Sequence, residues 1–205
     1  MRRAGTLGVL LVAVLLAALA VKTWRQSHHY QSAEALWRAT LAENPNAWLA
    51  QADLGLLLLD KGSTKEALTL LQEARKTGAV NAQVRLGYAF ALVRTGQLDQ
   101  AYVELNDFVK AFPDSAHAHA LLGAVEARRA NIESAIKQYQ AALRLAPDLN
   151  QARSEYAYLL LGEGFPKEAA AQYKKLLAAD PRDESARAGY ARAWRAQNQT
   201  RSVSP

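Results

Sequence analysis

The chain of 205 residues contains no cysteine and a single methionine. Without cysteine there are no disulfides, no thiolate metal site and no thiol nucleophile. Four histidines are present, and their spacing is wrong for a shared metal: His28 and His29 are adjacent, and His117 and His119 are two apart. Helix neighbours that meet on one face stand three or four apart, so no metal site is expected. No H-E-x-x-H or nucleophile-elbow sequence occurs, and no phosphate-binding glycine loop precedes a helix. These absences point away from catalysis and from any cofactor. Lone acid runs and lone basic runs are also lacking. The formal charge of +6 comes from the ends: residues 1–30 hold four basic groups and no acid, and residues 182–205 hold five arginines against Asp183 and Glu184. The intervening stretch has 16 basic and 17 acidic groups, too even a balance for a nucleic-acid footprint.

What the chain has is period. Alanine recurs at residues 33, 67, 101, 135 and 169, and proline at 45, 113, 147 and 181, with Ala79 in the one gap. A third column holds Gly55, Ala89, Gly123, Ala157 and Ala191. Each step is 34 residues. Half the residues are hydrophobic, with alanine, leucine and other helix formers prominent. Small residues in two columns let antiparallel helix backbones approach closely, and a larger side chain there would overpack the contact. Bulkier groups sit between them: Leu54, Leu58 and Leu71; Tyr88, Leu92 and Leu105; Leu122 and Tyr139; Tyr156, Leu160, Tyr173 and Leu176. Gly62, Gly96 and Gly164 fall at the turns, where glycine ends a helix in the left-handed conformation. The third turn reads Ala130-Asn131, and Asn131 is expected to take that conformation. Pro113, Pro147 and Pro181 stop second helices, and Asp114-Ser115, Asp148 and Asp183 are expected to cap the helices that follow.

A fixed period of 34 with these columns resembles the tetratricopeptide repeat (TPR) family, over about residues 28–197. The resemblance implies an all-α, right-handed TPR solenoid of antiparallel helix pairs. The ruler divides the chain into 26–47, a half-repeat helix, then full repeats 48–81, 82–115, 116–149 and 150–183, a capping helix 184–197 and a disordered tail 198–205. Trp37 and Trp48 flank the Asn44-Pro45 turn and are expected to pack on one another's helices.

Ahead of the array, Met1-Arg2-Arg3 leads into an uncharged run from Ala4 to Val21. Its 18 residues make a helix of about 27 Å, close to the roughly 30 Å of a bilayer core. Residues 1–25 therefore read as a single transmembrane anchor. The other reading is a secretory signal cleaved after Ala18-Leu19-Ala20. Arg2 and Arg3 against Lys22 and Arg25 lean to an inside N-terminus and an extracytoplasmic array, periplasmic in a bacterium. The stretch 23–55 also resembles the junction between the last membrane helix and the TPR tail of multi-pass membrane glycosyltransferase-like proteins. Tyr30, Leu36-Trp37, Thr40-Leu41, Asn44-Pro45, Trp48 and Leu54-Gly55 carry that likeness. It implies an uncleaved helix and a multi-pass membrane partner, with the chain as a detached accessory tail. The catalytic membrane domain of that family is not in this sequence.

Stacked hairpins offer a concave surface lined by their first helices. Projecting positions 2, 5, 6, 9, 12 and 13 of each repeat gives a partner-binding groove of Asp53, Asp60, Gln83, Phe90, Arg94, His117, Arg128, Gln151, Glu155, Tyr158, Arg192 and Arg195. Phe90 and Tyr158 are its expected aromatic anchors. Chaperone-binding members of the family place Lys and Asn at positions 5 and 9 to clamp a peptide carboxylate. This chain has Ala52 and Leu56, then Leu86 and Phe90, so that ligand is not expected. The function expected is protein interaction: a membrane-anchored scaffold that binds a protein or peptide partner, with no enzymatic activity.

Overall fold

The computed structural model describes residues 32–77 and 81–202. Every regular element among them is an α-helix: α1 (Ala33–Glu43), α2 (Trp48–Asp60), α3 (Thr64–Thr77), α4 (Ala82–Arg94), α5 (Leu98–Ala111), α6 (Ala116–Arg128), α7 (Ile132–Leu145), α8 (Asn150–Gly162), α9 (Pro166–Ala179) and α10 (Glu184–Ser202). The chain divides into two compact units, Met1–Ala91 and Leu92–Pro205.

In the first unit, Ser32 caps α1, its hydroxyl accepting from the Ala35 amide at 3.1 Å. Trp37 and Leu41 of α1 pack against the buried cluster of Leu54, Leu58 and Ala67. An ion-pair network adds to this: Glu34 meets Arg38 at 2.9 Å and Lys61 at 2.6 Å, and Arg38 meets Glu66 at 2.8 Å. The exposed network contributes little energy but it sets α1 against the α2–α3 hairpin. Gly55 shows why the small column exists. A Cβ there would lie 2.7 Å from Leu71 Cγ and 3.4 Å from the Ala67 carbonyl oxygen. Trp37 thus packs on the helix that carries Trp48, and Trp48 packs with Ala52, Leu71, Ala74 and Val84, sharing a helix face with Ala52 one turn on.

In the second unit, Ala101, Ala135 and Ala169 of the second helices are 0% exposed, as is Ala157 of the first-helix column. A larger residue at any of them has no room, which is the physical content of the period. Tyr139, Tyr156, Leu160, Tyr173 and Leu176 form one continuous core with Ala157 and Ala169. Tyr139 and Tyr156 stack with ring centroids 5.8 Å apart.

Each hairpin turn closes with the same hydrogen bond. Ser63 donates to Leu58 O at 2.8 Å, Gln97 to Leu92 O at 2.9 Å, Asn131 to Glu126 O at 2.9 Å and Phe165 to Leu160 O at 2.8 Å. This six-to-one bond needs a left-handed residue just before the donor. Gly62, Gly96 and Gly164 supply it, with φ of 80°, 79° and 80°. In the third turn the residue is Ala130, at φ 62°, and not Asn131, which was expected. The turn geometry fixes the register, so the strain falls on whichever residue occupies the slot. Asn131 instead donates its side-chain amide to the buried Glu126 carboxylate at 2.7 Å, and Ser134 donates to the same group at 2.9 Å.

The caps also differ in part from expectation. Ser115 accepts from Ala118 N, and Asp183 accepts from Ala186 N at 2.9 Å. Asp148 does not cap: α8 starts after Leu149, whose side chain has no acceptor. At the C-terminal side α10 continues past the expected end at Gln197, to Ser202. No proline follows Gly189 before that point to stop it. Among the described residues no helix is long and apolar enough to cross a membrane. The expected span, Ala4 to Val21, and both His28 and His29 lie outside the described residues.

A further repeated bond was not foreseen. The fourth residue of a first helix reaches back to the carbonyl of the proline that precedes the helix. Gln51 Nε2 donates to Pro45 O at 2.7 Å. His119 Nε2 bonds Pro113 O at 2.9 Å, Arg153 donates to Pro147 O, and Arg187 donates to Pro181 O at 2.8 Å. His119 and Arg153 also engage the following second helix, through Gln138 and Gln172. The proline column therefore does two things: it stops one helix and presents the carbonyl that anchors the next.

Candidate functional site

The second unit holds an open concavity of about 710 Å³. Its walls come from α6, α8 and α10, with Val93 of α4 at one edge and Tyr139 of α7 and Tyr173 of α9 also in the lining. First-helix side chains line it because second helices are occupied in covering the seams. Tyr139 and Tyr173 form the base. The Tyr173 ring fits because residue 189 is glycine: a Cβ there would stand 2.4 Å from the ring. Gly189 thus keeps α10 close to α9, with the Tyr173 ring buried between them.

Polar groups are held in place around these rings. Glu155 accepts from the Tyr139 hydroxyl at 3.2 Å and from the Gln151 amide at 2.7 Å. Arg128 donates to the Val93 carbonyl at 2.8 Å, which fixes its guanidinium at the edge. Burial pushes the Tyr139 hydroxyl well above the ordinary tyrosine range, and the neighbouring Glu155 carboxylate adds to the shift. Burial raises Tyr173 as well, partly opposed by the Arg192 charge. Both phenols therefore stay protonated as donors at neutral pH. Tyr158 stands at the rim, 70% exposed.

Of the twelve groove residues expected from register, the concavity brings together Arg128, Glu155, Tyr158 and Arg192. Gln151 stands behind Glu155 and orients it. His117, Arg94 and Arg195 are exposed on α6, α4 and α10 outside the lining. Asp53, Asp60, Gln83 and Phe90 belong to the first unit, where Asp53 and Phe90 are half-buried and Asp60 and Gln83 are exposed. Tyr139, Tyr173 and Gly189 were not among the expected site residues. A signal for them was available: tyrosine replaces the Leu71 and Leu105 of the same column, and an aromatic that large outgrows a seam built for leucine. Chemically the site offers the exposed ring of Tyr158, two guanidinium groups and an oriented carboxylate. Among the described residues no group of three or more His, Cys, Asp or Glu is placed to hold a metal.

Comparison with known proteins agrees with this architecture. Tetratricopeptide-repeat family models match residues 58–125 in one case, and residues 22–82 and 156–200 in another. The chain belongs to the tetratricopeptide repeat family. Among solved structures it is similar to TTC0263, a thermophilic TPR protein of Thermus thermophilus. That match has a TM-score of 0.66 and 28% identity, and covers 86% of this chain and 96% of that one. MamA from Desulfovibrio magneticus aligns with a TM-score of 0.65 at 19% identity, over 84% of this chain and 97% of that one. YrrB, described as a TPR protein with an unusual peptide-binding site, aligns with a TM-score of 0.59 at 20% identity, covering 82% and 94%. No curated protein matches the chain. The fold is that of a protein–protein interaction scaffold.

Proposed function

We propose that this chain is a membrane-anchored scaffold whose repeats lie on the extracytoplasmic side and grip a segment of a partner protein in the α6–α8–α10 concavity. The array consists of full repeats 48–81, 82–115, 116–149 and 150–183, with a half repeat before them and α10 as the cap. Tyr158 is the principal anchor, Arg128 and Arg192 contact acidic or carbonyl groups of the segment, and Glu155 takes a donor. The observation that carries this reading is the concavity itself: the exposed ring of Tyr158 beside Arg128, Arg192 and the oriented Glu155, all on first helices. Aromatic and arginine side chains are the residue types that dominate interface energetics. Helix pairs that are already packed lose little entropy on binding. YrrB supports the reading as a structural neighbour described with a peptide-binding site. In this reading the chain binds and does not catalyse.

The test is co-purification from native membranes with the full chain, comparing wild type, Tyr158→Ala with Arg192→Ala, and Phe90→Ala with Asp60→Ala. Loss of the two concavity side chains should lower partner recovery by at least about tenfold, as for hot-spot residues. The first-unit pair should change it less. Unchanged recovery with the concavity variant contradicts the site. The anchor has its own test: intact chain in the membrane fraction is expected, and a mature protein that starts at Val21 contradicts it.

A further inference from the structure

In an internal hairpin, residues 7, 8 and 11 of the first helix face the second helix. They are Leu54, Gly55 and Leu58 in α2, and Tyr156, Ala157 and Leu160 in α8, and all are buried. Leu54 and Leu58 share one buried cluster with Ala67, the column alanine of α3. In α10 the same register gives Tyr190, Ala191 and Trp194. Tyr190 and Ala191 are only half-buried, and Trp194 is 55% exposed. α10 is thus a first helix with its pairing face uncovered.

The other end carries the complementary face. α1 is a second helix by register, since Ala33 stands in the column of Ala67, Ala101, Ala135 and Ala169. Those four are 0% exposed, whereas Ala33 is exposed and α1 has no buried residue. Over 184–199, α10 carries Arg187, Arg192 and Arg195 against Glu184; on α1, Glu34 and Arg38 are already paired with Lys61 and Glu66 of the same chain, which leaves Glu43 as its acidic group toward a second copy.

We infer that α10 of one copy docks on α1 of a second copy, so that the two together rebuild one hairpin of the repeat. Ala191 meets Ala33, as Gly55 meets Ala67 within the chain, and Tyr190 and Trp194 close over that contact. The two faces are different surfaces of one molecule, so the contact is heterologous and adds copies beyond a dimer. One helix pair buries less than a standard interface of about 1,600 Å², so the association is reversible. This inference does not depend on the partner-binding concavity.

The lack of native cysteine makes the test direct. Full-length Ala191→Cys is mixed with full-length Ala33→Cys under mild oxidation. A disulfide forms only when the two Cα atoms come within about 7 Å. The mixture should give at least about ten times more crosslinked dimer than either variant alone, and adding Trp194→Glu to the Ala191→Cys chain should remove that excess. No disulfide in the mixture overturns the inference, as happens if residues before 32 cover α1. Equal dimer from Ala191→Cys alone overturns it in favour of α10 pairing with itself. Sedimentation of the unmodified chain provides a second measurement: species larger than dimer should appear as concentration rises, and a monomer at every concentration contradicts the proposal.

Discussion

Two neighbouring hairpins of the second unit, α6–α7 and α8–α9, share one ruler and differ in what fills it. At the eleventh position α6 has Glu126 and α8 has Leu160, both buried. At the turn, the left-handed residue is Ala130 after α6 and Gly164 after α8, at φ 62° and 80°. At the fourth position stand His119 and Arg153, each tied to a proline carbonyl and to a glutamine of the next helix. The backbone is therefore set by small residues and turns, and it tolerates unlike chemistry at the same slot when the local partners change too. Glu126 is acceptable because Asn131 and Ser134 satisfy it.

The sharpest way to break this equivalence is at the eleventh position. Leu160→Ala should cost about 3 kcal/mol, as for other large-to-small core changes, read as a shifted midpoint in urea. Glu126→Leu at the matching slot should leave stability unchanged or raise it by up to about 1 kcal/mol, since replacing a buried charge by an apolar side chain is often neutral or better. A large loss for Glu126→Leu would show that the polar cluster does more than fill the seam. Next in size, Arg153→Met should cost about 2 kcal/mol by removing the bonds to Pro147 and Gln172. His119→Phe should cost less, because His119 is less buried than Arg153.

Alkaline pH separates the hairpins through their tyrosines. Tyr139 has its folded-state pKa raised, so the unfolded chain releases its proton first as pH passes about 10. Stability from the protonated phenol is complete below that point and is lost above it, by at most about 1.4 kcal/mol per pH unit per group. Tyr139→Phe should flatten the decline between pH 10 and 11 seen in thermal melts. The smallest effect lies at the turns and has opposite signs. Ala130→Gly should stabilise by about 0.5–1 kcal/mol by relieving a left-handed alanine, and Gly164→Ala should destabilise by about 1 kcal/mol. Two changes of the same sign would contradict the shared turn geometry.

The contrast also explains which parts were legible in the sequence. The alanine column could be read because residues with no space around them admit one size, and Ala101, Ala135 and Ala169 are indeed fully buried. The all-helical hairpin architecture follows from that column together with the turn glycines. Ala130 was harder: Asn is the residue type that favours a left-handed slot, but the six-to-one bond, and not the residue type, decides which position takes it. Asp148 looked like a cap by composition, yet the start of α8 one residue later leaves it off the axis. For the candidate site, register placed Arg128, Glu155, Tyr158 and Arg192 on first-helix faces, and they do meet. It also assigned Tyr139 and Tyr173 to the core, where both are buried; what register alone did not show is that the Tyr173 ring packs against α10 only because residue 189 is glycine.

The central claim is that the first-helix concavity, and not the outer surface of the second helices, receives the partner. Photocrosslinking in native membranes from residue 158, with residue 103 as the comparison, tests it directly, since Tyr158 and Val103 are both well exposed. The account predicts a discrete adduct from position 158 and none from 103. The same adduct from both positions, or an adduct from 103 alone, would contradict it.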